Sequence, residues 1–127
     1  MQDKHLYEYA VIRVVPRVER EEFINAGVIV FCKRQKFVKM LFTVAEQKIL
    51  MLSPEADIEQ IKQNLESFEK IARGAKDGGP IALMEPDERF RWLTAVRSSV
   101  IQTSRPHPGF CSDMEKITQR LFEDLVL

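Results

Sequence analysis

Cysteine is nearly absent from this chain: among 127 residues only Cys32 and Cys111 are cysteines, and they share no CxxC spacing. With no signal peptide ahead of the first strand, that scarcity points to a reduced, cytoplasmic protein rather than a secreted disulfide scaffold. An excess of one charge is missing too. Lysine plus arginine and aspartate plus glutamate each number 19, so the formal net charge is zero, and the simplest electrostatic case for non-specific binding to nucleic acid or a membrane surface falls away. Long apolar runs are lacking as well. Residues 27–32 form one of the longest, far short of the roughly 20 residues that a spanning helix needs. There is no G-x-S-x-G elbow, no phosphate-binding glycine loop, no histidine at ligand spacing from His107, and no internal repeat or low-complexity segment. The ordinary signatures of serine hydrolases, nucleotide loops and histidine-held metals are therefore missing, and no cofactor or metal is expected.

What is present is a globular composition, 45% hydrophobic and 30% charged, in a chain long enough to bury roughly two-thirds of its unfolded surface and stand as one domain, residues 1–127, without staples. Tyr7 to Val15 is rich in aromatic and β-branched residues and stops at Pro16, which has no N–H for a ladder. Val28 to Lys33 and Phe37 to Val44 predict an antiparallel hairpin across the polar Lys33-Arg34-Gln35-Lys36 connection. Glu46 to Leu52 carries a weaker helical pattern. Ser53-Pro54-Glu55 supplies an N-cap, a first-turn proline and an acid, predicting a helix from that point. Its stripe of Ile58, Ile61, Leu65, Phe68 and Ala72 faces a sheet, and Gly74 closes it. Pro86 opens a short helix to about Ala95, and Ser98 to Thr103 predicts a strand with Ser98, Val100, Gln102 and Ser104 on one face. Arg105-Pro106-His107-Pro108-Gly109 reads as irregular. Ser112 and Glu115 form a capping box ahead of a last helix that turns Met114, Ile117, Leu121 and Leu125 inward. The sum predicts an α+β fold: a small, mostly antiparallel sheet of three to four strands covered by two amphipathic helices plus one short helix.

Two segments concentrate the chemistry. The first joins Arg13 to the loop group Arg17, Glu19, Arg20, Glu22 and Asn25. Arginine forks suit bidentate contact with carboxylate or phosphate, and neighbouring carboxylates orient them; the same charges can equally pair among themselves to fix the crossover between two strands. The second runs through Arg91 and Trp92 to Arg97, Ser98, Gln102 and Ser104, where an indole offers a stacking face and the polar groups offer donors. A core tryptophan with outward polar residues is the competing account. His107, fixed between Pro106 and Pro108, has the chemistry of a general base near neutral pH, or that of a turn residue bonding a carbonyl. The basic excess lies in residues 1–40, and Lys33, Arg34, Lys36 and Lys39 mark a hairpin tip that suits phosphate contact or, more simply, solubility and edge protection.

These segments carry a resemblance. Tyr9 to Val15, Pro16-Arg17-Val18-Glu19-Arg20, Glu22-Phe23, Asn25-Ala26-Gly27-Val28, Arg89-Phe90, Trp92-Leu93, Ala95, Arg97-Ser98, Val100, Gln102, Ser104, His107 and Gly109 resemble an uncharacterised bacterial family, the domain of unknown function numbered three thousand and thirty-seven; Val96 and Phe110 depart from its pattern. The resemblance spans almost the whole chain. It implies small, cytoplasmic, single-domain proteins without an assigned activity, whose genes are often adjacent to those of HipA-type serine/threonine kinases. The expected function is accordingly that of a binding or accessory module whose arginine-rich site takes an anionic small molecule or a protein partner such as a HipA-type kinase. The alternative is a small enzyme acting on a phosphorylated or phosphodiester substrate with His107 or Glu22 as base.

Overall fold

Strand β1 (His5–Val14) is the strand to which most of the sheet is bonded. The computed structural model describes residues 3–127 and contains a five-stranded sheet in which every pairing is antiparallel. β2 (Ile24–Cys32) and β3 (Phe37–Phe42) form the expected hairpin on one side of β1. On the other side β4 (Ile101–Thr103) pairs with the second half of β1 and β5 (His107–Cys111) with the first half. The helices are α1 (Glu46–Leu52), α2 (Ile58–Ala72), α3 (Pro86–Leu93) and α4 (Met114–Leu125). None of them is long and apolar enough to cross a membrane.

Alternation along β1 separates two cores. Ala10, Ile12 and Val14 share one face with Ile29, Phe31 and Met40, and Ile61, Leu65 and Phe68 of α2 with Phe90 and Leu93 of α3 cover that face. The Phe31 and Phe90 rings stack with centroids 5.0 Å apart. On the opposite face Tyr7, Val30 and Cys32 meet Met114, Ile117 and Leu121 of α4. The α+β expectation therefore holds, with helices on both faces of the sheet.

Four local expectations are corrected. First, α2 starts at Ile58, where the Asp57 carboxylate accepts the Gln60 N–H at 3.1 Å. The Ser53 N–H instead donates to the Ile49 carbonyl, so the Ser53-Pro54-Glu55 signal ends α1 rather than opening α2. Second, α4 is capped by Asp113, which accepts the Lys116 N–H at 3.0 Å, and not by Ser112. Third, the strand expected from Ser98 covers only Ile101–Thr103; Ser98 is irregular, and Ser99 and Val100 precede the strand in a bend.

Fourth, His107 to Gly109, read as irregular, belong to β5. β5 lies at the sheet edge, where Pro108 stands opposite Glu8 and its missing N–H costs no ladder bond if it faces outward. Gly109 faces Tyr7, and a Cβ there would lie 2.5 Å from the Tyr7 hydroxyl, so the absent side chain makes room for that ring. Between Thr103 and His107 the chain has one residue more than β1 has between Ile12 and Tyr9, which is a bulge. The Ser104 side chain closes it. Its backbone N–H donates to the Val11 carbonyl, and its Oγ accepts the Val11 N–H at 2.9 Å, standing in for the carbonyl that has left the ladder.

Candidate functional site

The loop leaving β1 at Pro16 makes a single 3-10 turn, Val18–Arg20, and closes on Glu21 in the left-handed region. Four of its charges are matched within the loop. Arg17 Nε bonds Glu19 Oε1 at 3.0 Å, and Arg20 bonds both oxygens of Glu22, Nε to Oε1 at 2.6 Å and Nη2 to Oε2 at 3.3 Å. The Arg20 guanidinium holds the Glu22 carboxyl below its usual range, while backbone hydrogen bonding first and Arg17 second lower Glu19. Glu19 and Glu22 each have their own cation, whereas Glu21 forms no ion pair among the described residues.

Arg13, Asn25 and Gln102 form one row across β2, β1 and β4, because both partners lie opposite Arg13 in the register. The Arg13 guanidinium carbon sits 4.2 Å from the centre of the Phe23 ring, and its Nε is buried without a hydrogen-bond partner. Asn25 donates from Nδ2 to the Leu125 carbonyl at 3.1 Å, while its Oδ1 is buried and unbonded. Gln102 turns back to the Ser99 carbonyl at 2.9 Å. His107 shares this sheet face but lies opposite Tyr9, their rings 5.4 Å apart, which puts it about 13 Å along β1 from the Arg13 row. Glu22 belongs to the loop that joins β2 at Ile24, opposite Val14; that row is about 17 Å along β1 from the row of His107. Arg91 is on the other face of the sheet, where Nη1 and Nη2 bond Glu8 at 3.2 and 2.6 Å.

Trp92, Arg97 and Ser98 gather elsewhere, beside α2. An open cleft of about 530 Å³ is lined by Asn64, Ser67 and Phe68 of α2, by Trp92 and Ser98, and by Val18 of the first loop. Val18 is the first loop's contribution to this cleft, and none of Arg13, Arg17, Glu19, Arg20, Glu22 and Asn25 is among its lining residues. Trp92 is 40% exposed, neither core nor free surface. The Arg97 guanidinium lies over its ring at 4.6 Å and over Phe68 at 5.2 Å, and donates to the Trp92 carbonyl. Burial pushes the Arg97 guanidinium below its ordinary value; among the described residues no carboxylate forms an ion pair with it. Asn64 and Ser67 had not been expected at a site. Their trace in the sequence is slight: two short, uncharged residues interrupt the Glu, Gln and Lys of the outer face of α2.

Among the described residues no three His, Cys, Asp or Glu side chains cluster as a metal ion would require. The cleft is mainly apolar, with Asn64, Ser67, Ser98 and Ser99 as its polar lining; Arg97 does not line it but lies over the Trp92 and Phe68 rings that do, so a cation stands at its margin beside a flat apolar surface. No curated protein and no solved structure matches the chain significantly. The family described as a protein of unknown function, DUF3037, matches residues 9–126, and by that match over nearly its whole length the chain belongs to this family.

Proposed function

We propose that the protein is a non-catalytic binding module and that its site is the cleft between α2 and residues 98–101, at whose margin Arg97 receives the anionic group of a small molecule or of a protein partner. The observation that carries this reading is the Arg97 guanidinium, stacked on Trp92 and Phe68, two rings that line the cleft, and among the described residues in no ion pair with a carboxylate. A guanidinium that has lost part of its hydration, and is already oriented by two rings, gains a charge-assisted hydrogen bond at little ordering cost. Asn64 supports the same reading: its Oδ1 takes the Gln60 amide at 3.0 Å, which leaves its own N–H groups to donate. Arg17 and Arg20 carry less weight, since Glu19 and Glu22 already occupy them.

The family resemblance makes an acidic surface of a HipA-type kinase the first protein partner to test. Binding is favoured over phosphoester chemistry because His107 and the row nearest Glu22 are about 17 Å apart along β1, beyond the reach of a shared substrate atom. The test is an affinity capture from cell extract with three baits: wild type, Arg97→Ala and Arg17→Ala, each checked for folding by circular dichroism. Wild type and Arg17→Ala are expected to retain the same kinase or anionic metabolite, and Arg97→Ala to lose it. Retention by Arg97→Ala at the wild-type level refutes the reading.

A further inference from the structure

Leu6 and Phe110 stand opposite each other across β1 and β5 and are 54% and 68% exposed. Isolated exposed apolar residues are common, but two large ones side by side are less so. They border an open cleft of about 550 Å³ whose other lining residues are Lys4, His5, Lys33 and Arg34. Among the described residues none of the three cations Lys4, Lys33 and Arg34 forms an ion pair. Glu8, the next residue on the same face of β1, gives both oxygens to Arg91, and Lys39 on the neighbouring hairpin is held by Glu115. In a chain of zero net charge, this end of the sheet is apolar at its centre and uncompensated in positive charge at its rim.

We propose that this patch is a second binding surface, separate from the Arg97 cleft, and that it docks an acidic segment of a protein partner through one aromatic or aliphatic anchor. The anchor lies against Leu6 and Phe110, and carboxylates flanking it reach Lys4, Lys33 and Arg34. Charge complementarity selects this occupant, with the anchor desolvated at the centre and the ion pairs around it at a polar rim. Addition of a strand to β5 is disfavoured, because Pro108 removes a donor from an edge that offers only five residues. A lipid surface is disfavoured too, since interfacial insertion relies on a continuous apolar face and here there are two side chains.

The test pans a displayed library of random peptides on the intact wild-type chain and, in parallel, on a Phe110→Ser, Arg34→Glu variant. Both positions are exposed, and circular dichroism verifies that the variant folds. Wild type is expected to enrich peptides in which an aromatic or aliphatic residue is flanked by Asp or Glu. A synthetic copy of the most enriched peptide should bind the variant at least about tenfold more weakly, the scale of losing a central anchor. It should bind Arg97→Ala normally, which separates this surface from the cleft. Enrichment without acidic bias, no enrichment, or equal binding to the variant overturns the proposal. So does Phe110-dependent sedimentation of wild type with phosphatidylserine vesicles when no such peptide is selected, an outcome that assigns the patch to a lipid surface.

Discussion

Replacing Ser104 by alanine tests the join between β4 and β5. The Ser104 Oγ accepts the Val11 N–H at 2.9 Å and donates to the Arg105 carbonyl at 3.0 Å, and Ser104 and Val11 are both buried. Alanine keeps the backbone bond from residue 104 to the Val11 carbonyl but leaves the Val11 N–H without an acceptor inside the sheet. A buried donor stranded in this way costs about 1–3 kcal/mol. For a chain of this size that corresponds to a fall in Tm of roughly 3–15 °C, at about 3–5 °C per kcal/mol. The assay is urea unfolding followed in parallel by far-UV circular dichroism and by fluorescence of Trp92, the single tryptophan. Coincident transitions validate the two-state treatment, and an unchanged slope assigns a lower midpoint to stability alone. Ser104→Thr, which retains the oxygen, is expected to recover most of the loss. An alanine variant within about 0.5 kcal/mol of wild type, the range of an inconsequential surface change, refutes the role given to this side chain.

Other positions give further expectations. Gly27→Ala brings a Cβ to 2.4 Å from the Leu41 carbonyl oxygen, so β3 has to retreat; a loss of about 1–3 kcal/mol in urea unfolding is expected, with faster hydrogen exchange along β2 and β3. Asp113→Ala should cost about 1 kcal/mol by removing the cap of α4, whereas Ser112→Ala should leave the thermal melt nearly unchanged. Burial raises the Tyr7 phenol above its ordinary 10.0, so above that pH the unfolded chain releases its proton first. Stability attached to this group is therefore complete below pH 10 and is lost as pH rises through the folded value; Tyr7→Phe should flatten that alkaline decline in urea midpoints.

How far the fold was legible depends on whether a signal was local. The stripe of α2 is visible in sequence because Ile61, Leu65, Phe68 and Ala72 repeat at helical spacing, and all four are buried. The β2–β3 hairpin is equally local. The start of α2 is ambiguous in sequence because Ser53 and Asp57 are both good capping residues, and only the Ser53 N–H bond to Ile49 shows that Ser53 ends α1. β5 is hidden in sequence because two prolines argue against a strand unless it lies at an edge, and edge position depends on a partner about a hundred residues earlier in the chain. Both charged segments were visible as candidates, but their grouping was not. Parity along β1 puts Arg13 and the Glu8 that binds Arg91 on opposite faces, and the approach of Asn64 and Ser67 to Trp92 and Ser98 depends on how α2 crosses the sheet.

The position of β1 bears on the order in which the chain can be assembled. Its bonds to β2 form within a short loop, but those to Ser104 span a separation of 93 residues. During synthesis β1 and the β2–β3 hairpin therefore exist well before residues 101–111, and in that interval one side of β1 is a bare row of N–H and C=O groups. Long-range closure of this kind slows folding, and an unpaired strand edge recruits other chains. The C-terminal strands thus double as a late-arriving cover for the first one, and truncations that remove residues 101–111 are expected to yield aggregates rather than a smaller soluble sheet.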